Sequence, residues 1–150
     1  MKKILAFFIL ASALALPLKA QEEKLVEEVI STLFVGMKTK NTDLVKPAFH
    51  PEAIMQTVIA GESGASLGSN SVQDFLKRIA TTPENTVLDE RILEYQIKID
   101  GQMASAWTPY EFYVNDTFSH CGVNSFQLIK TPEGWKITYI IDTRRKEGCE

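Results

Sequence analysis

Cysteine and histidine are scarce in this 150-residue chain, with two of each. Cys121, Cys149, His50 and His120 show no compact ligand spacing, so a structural zinc site is disfavoured and no metal or other cofactor is expected. Gly-rich phosphate loops and nucleophile-plus-base motifs are missing as well. There is no repeat, no low-complexity stretch and no linker that would divide the chain. The uncharged, mostly apolar run over residues 4–16 is too short to span a bilayer comfortably, which takes about 20 apolar residues. Basic charge is also short. Removing Lys2, Lys3 and Lys19 of the leader described below from the 16 basic residues leaves 13 against 19 acidic ones, a net charge of −6. Nucleic-acid and anionic-membrane binders carry the opposite balance, so neither partner is expected.

What is present begins with an export signal. Met1-Lys2-Lys3 is a basic start, residues 4–16 are mostly apolar, and Pro17-Leu18-Lys19-Ala20 offers a small residue before Gln21. That order is a secretory signal peptide; an uncleaved anchor and a buried N-terminal helix are the alternatives. The expected division is a leader over 1–20 and one domain over 21–150, in the periplasm or secreted. A domain of that size has one core. An oxidising compartment allows Cys121 and Cys149 to bond, with two free thiols as the alternative.

Residues 22–37 predict a helix, because Leu25, Val26, Val29, Ile30, Leu33, Phe34 and Met37 recur at three- and four-residue spacing. Asn41-Thr42-Asp43 predicts the cap of a short second helix, stopped by His50-Pro51. Residues 54–60 and 65–68 predict a strand pair around a turn at 61–64. Ser71 to Asp74 has capping-box spacing and opens a third helix. Four strand patterns follow, over 87–100, 102–114, 117–130 and 135–142, joined by Asp100-Gly101, Asn115-Asp116 and Pro132-Glu133-Gly134. Tight turns make this meander antiparallel. Helices first and a meander last predict an α+β fold with helices packed on one sheet face.

That order of elements resembles the nuclear-transport-factor-2-like superfamily. Phe49-His50-Pro51-Glu52-Ala53 resembles the turn into its first strand. Ser119-His120-Cys121-Gly122, Phe126-Gln127-Leu128, Gly134-Trp135-Lys136-Ile137 and Asp142-Thr143-Arg144-Arg145 resemble its SnoaL-like and putative lumazine-binding branch. The resemblance covers the whole chain after the leader. It implies a cone in which helices close a curved sheet over a pocket. It does not imply one function, because the superfamily hosts isomerases, dehydratases, cyclases, hydrolases, transport adaptors and plain binders.

Strand alternation assigns the faces of that sheet. Tyr95, Tyr110, Phe112, His120, Phe126, Trp135 and Tyr139 are expected on the concave face, where the plain alternative for each is simple core. Trp107, Tyr113, Val123 and Ile129 fall on the convex face, an apolar patch suited to a homodimer. His120 is the candidate acid–base residue, since an imidazole exchanges protons near neutrality; a structural hydrogen-bonded histidine is the alternative. His50 is expected to be structural. Asp142 is near His120 in a hairpin count, but parity puts it on the opposite face unless a bulge intervenes. The steroid-isomerase pattern needs a carboxylate on the first strand, and residues 54–58 have none; the Asp-Arg-Asp arrangement of the epoxide hydrolases is not evident. His120 and Asp142 match the cyclase pattern loosely. The same count places Cys121 opposite residue 144 or 145, so an extended tail would hold Cys149 about 13–17 Å away. A disulfide needs Cα atoms within roughly 7 Å. The tail must therefore fold back, which Gly148 permits. The expected function is binding of an unknown small molecule in an aromatic-lined pocket. The alternatives are an isomerase-, dehydratase- or cyclase-type enzyme and a homodimeric interaction module.

Overall fold

The computed structural model describes the backbone of residues 2–149 and the side chains of residues 19–149. The leader expected over 1–20 lies, apart from Lys19 and Ala20, outside the described side chains. Helix α1 (Lys2–Thr39) buries Val26, Ile30, Leu33 and Met37. These lie three to four residues apart, so they form one stripe. The helix stops at Lys40, which takes a left-handed φ of 57°. Asn41 N–H then donates to the Gly36 carbonyl at 2.8 Å, closing the last turn. A lysine is strained there, and its ammonium is anchored on the Pro83 and Glu84 carbonyls at 2.6 and 2.8 Å.

Asn41 caps the short α2 (Thr42–Val45) by accepting from Asp43 N–H. A 3-10 turn over Lys46–Ala48 leads into β1 (Phe49–Gly61), which pairs with β2 (Gly64–Asn70). Ser71 caps α3 (Val72–Ala80), its Oγ accepting from Asp74 N–H at 3.0 Å. The rest is sheet: β3 (Leu88–Ile92), β4 (Gln96–Asp100), β5 (Met103–Val114), β6 (Thr117–Thr131) and β7 (Gly134–Thr143). The spatial order is β2-β1-β7-β6-β5-β3, with β4 also on β5. The meander is antiparallel, as its tight turns require. β1 joins it in parallel along β7, so the whole sheet is mixed. Helices α1 and α3 cover the concave side, giving an α+β cone.

Besides a register shift between Phe49 and Ile54 where β1 runs along β7, three irregularities bend this sheet. In β6, Phe112 faces His120 but Tyr113 faces Phe118, so Ser119 is an extra residue. In β7, Gln127 faces Tyr139 but Leu128 faces Ile137, so Thr138 is extra. The third divides the strand expected over 87–100. Ile92 faces Tyr110 and Gln96 faces Trp107, so four steps on the edge match three on β5. Pro109 lies opposite that break. Its carbonyl accepts from Leu93 N–H at 2.9 Å, but it has no N–H to return. Each extra residue reverses which side chains beyond it face inward.

The reversal in β7 corrects one expected face. Trp135 and Ile137 point into the core as expected, but beyond Thr138 the inward residues are Ile140 and Asp142. Tyr139 therefore belongs to the other face, where its hydroxyl donates to Gln56 Oε1 at 2.7 Å. The core beneath α1 is built around Phe126, Leu128 and Ile137, all fully buried, with Phe34 meeting Phe126 edge-on at 6.3 Å. At the C-terminus, Cys121 and Arg145 exchange backbone hydrogen bonds at 2.9 Å. The chain then folds back, with Gly148 at φ 63°, and Cys149 bonds Cys121 with Cα atoms 5.8 Å apart.

Burial sets a clear contrast between the two sheet faces. Leu128→Ala removes a fully buried side chain and is expected to cost about 2–5 kcal/mol in urea unfolding. Trp107→Ala, at a side chain 50% exposed on the convex face, is expected to cost well under half of that. Equal losses would show that the convex face is as tightly packed as the core.

Candidate ligand-binding site

The cone encloses a cavity of about 430 Å³ between the helices and the concave sheet face. Because neighbouring strands are in register, its floor is a set of rows. Glu90, Phe112 and His120 form one row across β3, β5 and β6. Tyr110 and Gly122 form the next. Thr108, Asn124, Asp142 and Thr57 form the third, which continues onto β7 and β1. Phe126 and Ile140 follow. Across from this floor, α1 contributes Leu33, Phe34 and Met37, and α3 contributes Phe75, Arg78 and Ile79.

Polar groups converge at one end. Asp142 is buried, with Oδ1 accepting from Thr57 Oγ1 at 2.5 Å and Oδ2 from Arg144 Nε at 2.7 Å. Burial opposes the Arg144 charge, but the bond and charge of Asp142 outweigh it and raise its pKa further. Asn124 Nδ2 donates to Glu90 Oε1 at 2.7 Å, and Thr108 Oγ1 donates to the Asn124 carbonyl. Burial is the largest influence on Glu90. Helped by the negative charge of Asp142, it pushes the carboxyl up to about 7 against the pull of Asn124 and Arg144. Glu90 therefore carries its proton for much of the time at neutral pH.

Tyr110 and His120 stand beside this cluster. The Tyr110 hydroxyl donates to the Thr143 carbonyl at 3.0 Å. Gly122 makes that reach possible, because a methyl group there would collide with the Thr143 carbonyl and press on the Tyr110 ring. Burial, then the charges of Glu90 and Asp142, raise the Tyr110 pKa. The His120 ring lies 4.9 Å from Phe112 and 5.8 Å from Tyr110, and its Nδ1 shares a hydrogen with Ser119 Oγ at 3.1 Å. Burial lowers its pKa, with Arg144 adding to the effect and Asp142 opposing it. It is thus a neutral imidazole at pH 7.

Of the side chains expected around a pocket, Tyr110, Phe112, His120 and Phe126 line it together. Asp142 joins them because of the extra residue at Thr138. Three lie elsewhere. Tyr95 sits in the irregular link between β3 and β4, partly buried against the core, and burial pushes its hydroxyl up to about 12. Trp135 is buried below α1, with its Nε1 donating to Glu22 at 3.1 Å. Tyr139 is on the convex side for the reason given above. His50 lies outside the cavity, its Nδ1 accepting from Glu52 N–H. Sequence reasoning missed Glu90, Arg144 and Thr57, and the helix aromatics Phe34 and Phe75. Arg144 stood in the Asp142-Thr143-Arg144-Arg145 motif; Pro109 was the available signal for the break that turns Glu90 inward. Among the described residues, no group of three His, Cys, Asp or Glu side chains is placed to hold a metal, and no helix is long and apolar enough to cross a membrane.

Comparison with known proteins gives one family and one fold. The family model described as putative lumazine-binding matches residues 21–139. No curated protein matches the chain. Among solved structures it is similar to an NTF2-like protein of unknown function from Shewanella baltica, at 22% identity and TM-score 0.62, covering 85% of this chain and 97% of that one. It is also similar to a putative dehydratase from the NTF2-like family of Streptomyces avermitilis, at 13% identity and TM-score 0.66, covering 85% and 98%. A protein of unknown function with a cystatin-like fold from Nostoc punctiforme matches at 9% identity and TM-score 0.62, covering 81% and 90%. Identities this low establish the nuclear-transport-factor-2-like fold and nothing finer.

The raised pKa of Glu90 ties stability to pH. Its folded-state value of about 7 lies above the ordinary 4.5, so the folded chain holds the proton more tightly. The contribution is therefore intact below about pH 4.5 and is lost as pH rises through 7. The full loss is at most about 3 kcal/mol, and less because the Glu90 side chain is only partly buried. Urea unfolding at pH 5 and pH 8 is expected to show wild type losing stability relative to Glu90→Gln. A constant difference between the two proteins would mean that Glu90 titrates normally.

Proposed function

The chain belongs to the putative lumazine-binding family of the nuclear-transport-factor-2-like superfamily, and on that premise we propose that it is an exported domain that binds a small molecule inside its cone. The carrying observation is the cavity itself: about 430 Å³, walled by Phe34, Phe75, Phe112 and Phe126, with Asp142, Arg144, Glu90 and Asn124 gathered at one end. Ligand pockets have this volume and this makeup, mostly apolar with a few convergent polar groups that set orientation. The basic-then-apolar start, residues 1–20, supports export to the periplasm or beyond the cell.

A second reading is enzymatic, of the isomerase, dehydratase or cyclase type. It is favoured by one observation: His120, a neutral imidazole, shares the cavity with the ionised pair Asp142–Arg144. An unprotonated imidazole beside an apolar chamber suits a general base. A third reading, a homodimer through the convex face, is supported by Trp107 and Ile129, which are exposed there beside Tyr113 and Val123.

Native mass spectrometry of the mature protein, after exposure to a metabolite extract, tests the binding reading. A specific adduct that is released on denaturation is expected; its complete absence from broad extracts would point to a chamber that stays empty. His120→Gln is expected to alter affinity a few-fold if the site only binds, whereas loss of turnover with retained binding would favour the enzyme. The same spectra give the assembly mass, which is expected at twice the chain mass if the convex face pairs and which a monomer at all concentrations would contradict.

A further inference from the structure

One row of the cavity floor is apolar along its length and ends in two donors that the fold does not use. Phe126, Ile140, Met55 and Asn70 stand side by side across β6, β7, β1 and β2. All four line the cavity. Asn70 closes the row on the edge strand and is exposed, so it stands at the rim. Arg78 reaches it from α3, also exposed. Its Nη1 donates to Asn70 Oδ1 at 3.3 Å, and its guanidinium carbon lies 6.0 Å from the centre of the Phe75 ring. That bond orients the Asn70 amide, leaving Nδ2 to donate. Asn70 Nδ2 bonds no side chain or backbone group among the described residues.

The charges around the cavity leave this corner positive. Asp142 keeps lone pairs for a further donor, but it stands in the next row, where Arg144 meets its charge at 2.7 Å. Glu90, pushed up to about 7 by burial, carries only part of a negative charge at neutral pH, and His120 is neutral. Arg78 is the remaining charged side chain on the wall, and it forms no ion pair among the described residues. Asp74, one turn earlier on α3, has the spacing to pair with it. Its Oδ2 instead accepts from Ser71 Oγ at 2.6 Å, within the helix cap.

We propose that Arg78 and Asn70 form a carboxylate clamp at the cavity rim, and that the cone takes an amphipathic monocarboxylic acid whose apolar body lies along Met55, Ile140 and Phe126. This rests on the cavity being a binding site. A guanidinium offers parallel N–H groups that match the two oxygens of a carboxylate. The Asn70 amide adds a donor beside them. Phe34 from α1 and Phe75 from α3 close over the apolar body. The rim position matters energetically, because burying a carboxylate outright costs more than one ion pair returns. Here the head stays partly hydrated while the body leaves water. A neutral molecule of the same shape gains the burial but not the clamp, and a cation meets Arg78 as a like charge.

The test is calorimetric titration of the mature chain at neutral pH with 2-naphthoate, 2-naphthamide and 2-naphthylmethylammonium. The three probes share one bicyclic body and carry a negative, a neutral and a positive head. In wild type, 2-naphthoate is expected to bind about tenfold or more tighter than 2-naphthamide, with the cation weakest. Arg78→Gln is expected to erase that advantage while leaving the affinity for 2-naphthamide within a few-fold, and Asn70→Ala to reduce the advantage severalfold. Lys77→Gln removes the same charge from the neighbouring residue of α3, which is exposed and outside the cavity wall, and is expected to leave the advantage intact. Equal affinity for the three probes, tightest binding of the cation, an advantage that survives in Arg78→Gln, or an equal loss in Lys77→Gln overturns the clamp while leaving the cavity a binding site. Failure of all three probes, in a protein shown to be folded by its thermal transition, overturns both.

Discussion

The constraint on which this molecule depends is strand alternation interrupted by single extra residues. A strand shows every second side chain to one face, so one inserted residue exchanges the faces for all that follows. Thr138 does this in β7, and the offset between β3 and β4 does it at the sheet edge. Without the first, Tyr139 and Ile141 would face the helices and Asp142 would face outward. Without the second, Glu90 would point away from the cavity. The same irregularities increase the local bend, so the curvature that makes room for a chamber and the shift that places carboxyl groups in it have one cause.

Those insertions also explain what could be read from the sequence. The inward faces of β5 and β6 were legible, since Tyr110, Phe112, His120, Gly122, Asn124 and Phe126 follow strict alternation from the bulge at Ser119 onward. The helix stripe of α1 was legible for the same reason, at a different period. Asp142 was not, because nothing in Lys136-Ile137-Thr138-Tyr139 distinguishes an extra residue from a regular one. Its partner Thr57 depends on the parallel β1–β7 pairing, a long-range contact that local pattern does not carry. Glu90 had a readable cue in Pro109, whose missing N–H leaves the edge strand without a bond where it breaks. That cue acts across strands, which is why a pattern read along one strand passes over it.

The polar end of the cavity is held by packing as much as by bonds. Gly122 lets the Tyr110 ring lie across its strand and reach the Thr143 carbonyl, next to Arg144. Arg144 in turn fixes Asp142, and Asp142 helps keep Glu90 protonated. The two carboxyl groups are therefore held differently on the same floor, one paired with a guanidinium and one with its proton bound more tightly than usual.

The Cys121–Cys149 bond closes a covalent ring across 28 residues of sequence, with the β6–β7 hairpin inside it. A ring of that size restricts the unfolded chain by about 3–4 kcal/mol in the loop-entropy account. Its geometric effect is more particular. A hairpin tied only at its turn can slide by one residue and exchange its faces; one tied at both ends cannot slide without stretching one arm of the ring. The bond thus acts as a register lock, keeping Asp142 rather than Ile141 turned toward the chamber. A reducing compartment would leave that register to side-chain packing alone.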